Sequence, residues 1–139
     1  MIFAFPGHID QIVEDTKTQT RRNSDKYNVG QTYAVQSGRG KKGDSRGRIL
    51  ITRKWSEDRY LDNWISKQDA EKEGGYGVEE YEKLYLKMNP DWELRWCYEF
   101  EFWETESILS LIQAIADAKK NPSVPWSTIK SQQLRTEKQ

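Results

Sequence analysis

The chain has 139 residues, 35% apolar and 32% charged, which fits one domain with a small aliphatic core and a wet surface. One cysteine, Cys97, excludes an internal disulfide, and with one histidine, His8, it argues against a zinc centre built from the usual nitrogen and sulfur ligands. The zero net charge hides a split: Lys17 to Lys54 holds eleven Lys and Arg against two Asp, while Ser56 to Glu106 holds six against fifteen Asp and Glu. Such polarity predicts one face for an anionic partner, unless the two halves neutralise each other in the fold.

Met1 to Phe5 is a short apolar run ended by Pro6-Gly7 and reads as a first strand. Ile9, Ile12 and Val13 recur at helical spacing and predict a helix over about residues 8–16, with His8 at its start as a capping or surface group. That helix delivers Lys17-Thr18-Gln19-Thr20-Arg21-Arg22. A hydroxyl three positions after an amine can pair a nucleophile with its base where the chain turns, whereas in a flat strand the two point to opposite sides. Arg21 and Arg22 add fork-shaped donors suited to phosphate. The same composition also describes a solvated basic turn.

Thr32 to Gln36 reads as a strand, followed by the glycine-rich basic stretch Ser37 to Arg48. The stretch lacks phosphate-loop spacing and a following helix, so a nucleotide-binding P-loop is excluded. It is a hairpin loop in which Arg39, Lys41, Lys42 and Arg46 either track phosphates or stand in solvent. Ile49 to Trp55 pairs back as the next strand. Ser66 to Glu73 is an N-capped helix closed by Gly74-Gly75, and Val78 to Met88 is a second helix with Tyr81, Leu84, Tyr85 and Met88 on one stripe, ended by Asn89-Pro90.

Leu94 to Trp103 alternates Leu94, Trp96, Tyr98, Phe100 and Phe102 against Arg95, Cys97, Glu99, Glu101 and Trp103, which predicts one core face and one mostly wet face. Ser107 to Lys119 reads as a final helix through Ile108, Leu111, Ile112 and Ile115. Beyond Asn121-Pro122 the chain is polar, with Pro125 and Trp126 as its only anchor, and the last dozen residues are expected to be disordered. No signal peptide or long apolar run is present, which predicts a soluble, cytoplasmic protein without membrane contact.

The order of helix, K-T-x-T-R-R, V-G-Q, a strand pair with a basic loop, then A-E-K-E-G-G and a tyrosine-rich helix resembles the ASCH domains. These are small β-barrels related to the RNA-binding PUA fold. The resemblance implies an α+β, PUA-like barrel with flanking helices over about residues 1–104, a C-terminal helical extension packed on it over 105–120, and a polar tail over 121–139. Lys17 and Arg22, five apart, match the family's central motif; Val29-Gly30 looks like its V-G-D turn, and Ala70 to Gly74 looks like the segment carrying its acidic residue. The glycine usual two residues before the motif lysine is Asp15, and Gln31 replaces the usual aspartate.

Within this family the enzymatic comparison is to the bacterial N(4)-acetylcytidine amidohydrolases. The resemblance implies Lys17, Thr20 and Glu73 as catalytic residues and hydrolysis of an acetyl amide on cytosine, with no metal or cofactor. Amide hydrolysis needs a nucleophile, proton transfer and a stabilised oxyanion. Lysine can serve as base only when burial or neighbouring cations lower its pKa. Glu73 then suits proton delivery to the departing amine, and direct water attack with Thr20 orienting the substrate is the variant mechanism. The competing class is a binding module, in which Arg39, Lys41, Lys42, Arg46 and Arg48, with Arg21 and Arg22, hold RNA phosphates and an exposed Trp55 or Trp64 stacks a base. An RNA-cleaving enzyme is a third reading. The partner is accordingly a modified cytidine nucleoside or RNA.

Overall fold

The computed structural model describes residues 1–62, 64–126 and 128–130. Its elements are α1 (His8–Val13), β1 (Gln19–Arg22), β2 (Thr32–Ala34), β3 (Gly47–Asp58), α2 (Lys67–Gly74), α3 (Val78–Met88), β4 (Leu94–Glu104), a 3-10 turn (Thr105–Ser107) and α4 (Ile108–Lys120). The strands form one antiparallel sheet in the order β1-β4-β3-β2, with helices around it. This is the small α+β architecture expected from the sequence.

β3 and β4 run beside each other for their full lengths, from Gly47↔Glu104 to Asp58↔Leu94, with a bulge between Ile51 and Arg53. The pairing needs a bare backbone at its Gly47 end. A Cβ on Gly47 would lie 2.1 Å from the Trp103 carbonyl oxygen, so the strands could not approach as they do. Met1 to Phe5 does not form the expected strand. Ile2 makes only an isolated parallel bridge with Gln36, through Phe3 N–H to Gln36 O at 2.7 Å and Gln36 N–H to Met1 O at 2.9 Å. On its other side the segment meets a side chain instead of a strand: Arg22, on the opposite edge of the sheet, donates to Ile2 O at 2.5 Å. The two edges are thereby drawn together around the main core of Phe3, Ile12, Val35, Ile49, Ile51, Tyr98 and Phe100.

The outer face of β4 is not the wet face expected of it. Arg95, Cys97 and Trp103 are all buried there. Alternation along one strand cannot show that helices from elsewhere in the chain cover its second face. Here Arg95 lies against α3 through Glu82, and Trp103 is covered by Leu111 and Ala114 of α4 together with Ile129. α4 turns Leu111 inward and leaves Ile112 60% exposed. Past α4 the chain folds back onto the sheet: Ile129 is 3% exposed and Lys130 donates to Phe102 O at 2.6 Å. The remainder of the expected disordered tail, residues 131–139, lies outside the described residues. No helix among the described residues is long and apolar enough to cross a membrane.

Candidate active site

α1 stops at Val13, short of the predicted end, and the cause is local. Asp15 adopts the left-handed conformation (φ 60°), so the chain turns back and Thr16 and Lys17 N–H both donate to Gln11 O, at 2.8 and 3.1 Å. The turn sets Lys17 just ahead of β1 and aims its side chain inward. α2 arrives from the other side. Ser66 caps it by accepting Asp69 N–H at 3.1 Å, and Gly75 closes it in the left-handed conformation (φ 83°). Its last turn brings in Glu73.

Lys17 and Glu73 are 3% and 1% exposed, and their charged atoms lie 3.3 Å apart. The Lys17 ammonium also donates to Gln19 O at 2.9 Å and Glu73 O at 2.5 Å. Burial pushes Lys17 below its ordinary value; the Glu73 carboxylate opposes that fall, and Arg22 and Arg21 add to it. Glu73 in turn accepts from Arg21 Nη1 at 3.3 Å and from Tyr81 OH at 3.0 Å.

Arg21, expected to bind substrate or RNA, borders the cavity described below, but its donors are turned to protein acceptors. Its side chain is fully buried and all five N–H donors are spent within the protein. They go to Glu57 at 2.8 and 3.3 Å, Gln19 Oε1 at 3.1 Å, Glu73 at 3.3 Å and Asp69 at 3.2 Å. Glu57 passes the chain of charge on to Arg95 at 2.9 Å, and Arg95 grips Glu82 with two bonds of 3.2 and 2.8 Å. The buried floor therefore reads Lys17, Glu73, Arg21, Glu57, Arg95, Glu82, with opposite signs alternating.

Above this floor lies a cavity of about 330 Å³, within the usual range for small-molecule sites. Phe3, Phe5, Tyr76, Tyr81 and Tyr85 wall it, and Lys17, Thr20, Arg21, Arg22 and Glu73 reach it. Thr20 is 5% exposed and its hydroxyl accepts from Arg22 Nε at 3.2 Å. The three residues named as catalytic thus border one space. They do so without the helical turn that i,i+3 pairing normally needs, because Lys17 precedes the strand that holds Thr20.

Comparison with known proteins supplies the fold's name. No family model matches the sequence, and no curated protein does so either. Among solved structures, an ASCH domain from Lactobacillus crispatus JV V101 is similar at 16% identity and a TM-score of 0.53, over 68% of this chain and 69% of that one. The chain has the ASCH-domain fold. A protein from Enterococcus faecalis V583 assigned to the DUF984 family model is similar at 20% identity and a TM-score of 0.48, over 68% and 69% of the two chains.

The two departures from the ASCH pattern now have places. Asp15 occupies a left-handed turn, a conformation that favours glycine and that aspartate tolerates better than most residues. Gln31 sits in the turn before β2, where Gly30 N–H donates to Ile51 O and Ile51 N–H to Gln31 O; it does not line the cavity. Arg39, Lys41, Lys42 and Arg46 lie in the exposed β2–β3 loop and do not line it either, and Arg46 is paired with Asp44 and Asp10. Trp55 is held between Arg21 and Arg53, at 5.7 and 4.5 Å, while Trp64 is 65% exposed.

Sequence reasoning missed His8 as a cavity residue. Its Nε2 lies 2.7 Å from Tyr76 OH, and burial lowers its pKa from 6.5 to about 4, leaving a neutral ring at ordinary pH. The partner is 68 residues away, and no local pattern announces it. Among the described residues no group of three or more His, Cys, Asp and Glu side chains is placed to hold a metal ion.

Proposed function

We propose that the protein is an amidohydrolase that removes an acyl group, acetyl in the simplest case, from the exocyclic amine of cytosine in N(4)-acetylcytidine or a related compound. The observation that supports it is the meeting of Lys17, Thr20 and Glu73 on one aromatic-walled cavity. A buried lysine with lowered proton affinity can take the proton of the Thr20 hydroxyl as that oxygen attacks the acyl carbon. To act so, the neutral amine gives up one of its three present hydrogen bonds. Glu73, beside the ammonium so formed, returns a proton to the leaving amine. Planar rings on the walls suit a planar base. Mass spectrometry after mixing with substrate tests the role of Thr20: an acetyl adduct on wild type, absent from Thr20→Ala, is expected. Equal turnover by Thr20→Ala would reassign the attack to water.

A second reading, RNA binding, has one observation of its own. Arg39, Lys41 and Lys42 stand exposed, with no acidic partner among the described residues. Binding that weakens steeply with salt, and is lost when these three become glutamine, is the expected signature. No binding of RNA at low salt would remove it.

A further inference from the structure

Attack on an amide carbonyl places a negative charge on the acyl oxygen, and that charge needs a fixed donor. The three arginines of the cavity and its floor differ sharply in what they hold. Arg21 is saturated by Glu57, Asp69, Glu73 and Gln19, and Arg95 is tied to Glu57 and Glu82. Arg22 has no carboxylate partner among the described residues. Its guanidinium stacks 4.9 Å from the Phe3 ring centre, with Nε on Thr20 Oγ1 at 3.2 Å and Nη2 on Ile2 O at 2.5 Å. Those contacts fix the fork and use two of its five N–H donors. Both donors on Nη1 and one on Nη2 stay available at the cavity wall. Burial disfavours this cation, Glu73 offsets that only through space, and an anion arriving in contact with the fork relieves the cost.

Thr20 and Arg22 alternate with Arg21 along β1 and so share one face, which sets the guanidinium beside the oxygen proposed to attack. We propose that Arg22 is the catalytic residue that holds the oxyanion of the tetrahedral intermediate, and then the carboxylate of the released acid; this rests on the amidohydrolase reading. In the step, the Thr20 oxygen bonds to the acyl carbon while its proton passes to Lys17. The carbonyl π pair moves onto the acyl oxygen, against the free donors of Arg22. Collapse restores the carbonyl, breaks the carbon–nitrogen bond and lets the amine leave with a proton. Water then repeats the attack on the acyl-threonine and frees the acid. Lys17 has a different part: the bond it releases serves the Thr20 proton, and its other donors stay on Gln19 O and Glu73.

Two measurements on wild type, Arg22→Gln and Arg22→Lys test the proposal, with circular dichroism confirming that each variant folds. Steady-state hydrolysis of N(4)-acetylcytidine should show kcat lowered about 100- to 1000-fold in Arg22→Gln with KM within a few-fold, and a smaller loss in Arg22→Lys. Sodium acetate, titrated by NMR, should bind wild type and fail to bind Arg22→Gln. A change in KM alone, or acetate binding that ignores the substitution, would overturn the assignment. Absence of hydrolysis in wild type, with acetate binding still dependent on Arg22, would sink the amidohydrolase reading and the catalytic role while leaving Arg22 as an anion site.

Discussion

Glu73→Gln removes one negative charge from the middle of the buried network and keeps its shape. The carboxylate is 1% exposed and meets Lys17 Nζ at 3.3 Å, Arg21 Nη1 at 3.3 Å and Tyr81 OH at 3.0 Å. Breaking a buried pair by removing one partner costs about 3–5 kcal/mol, because the remaining charge is left uncompensated. Arg21 keeps Glu57 and Asp69, and Lys17, already pushed down by burial, can shed its proton. The low end of the range, about 3 kcal/mol, is therefore expected, equivalent to roughly 10 °C in Tm at this chain length. Guanidinium unfolding at neutral pH reads the loss. Lys17→Met in the same background should recover part of it, with a coupling of about 1–3 kcal/mol in the double-mutant cycle. A loss under about 1 kcal/mol, or strictly additive single effects, would refute the idea that Glu73 neutralises buried cations.

Lys17 should titrate below 10.5 by NMR, and lower still in Glu73→Gln, since the carboxylate is what raises it; an upward shift would contradict the assigned causes. His8 is the chain's single histidine, so its ring protons are assigned at once, and their midpoint should fall near pH 4. A folded value below the unfolded 6.5 means the unfolded chain binds the proton more tightly, so this contribution to stability is complete above pH 6.5 and fades as pH falls through about 4. A midpoint near 6.5 would show an exposed ring. Asp15→Gly relieves a left-handed residue and should be neutral to stabilising by up to about 1 kcal/mol, whereas Asp15→Val should destabilise; the opposite order in urea unfolding would mean the turn is not left-handed. Ile129→Ala should cost about 2–4 kcal/mol if the segment after α4 packs on Trp103 and Leu50 as described, and a change near zero would place it off the sheet.

Local signals carried much of the fold. α3 runs over the predicted Val78 to Met88 because its apolar stripe has helical period and Asn89-Pro90 ends it. α2 was legible from Ser66 and the paired glycines, and β4 from its strict alternation. What the sequence could not show is what lies across the fold. The second face of β4 looked wet because the acids that bury Arg95, namely Glu57 and Glu82, are 38 and 13 residues away. Arg21 and Arg22 are identical neighbours in sequence and both border the cavity, yet strand alternation sends the donors of Arg21 into a carboxylate nest and sets Arg22 against Thr20. The Lys17, Thr20 and Glu73 set came from family resemblance, and composition alone would equally have described a solvated basic turn.

Release of cytidine from N(4)-acetylcytidine by the purified protein, beside a folded Lys17→Met variant, is the most direct test of the proposed function. Release by wild type that Lys17→Met abolishes is the predicted result. No release by folded wild type, or the same rate from Lys17→Met, would contradict it.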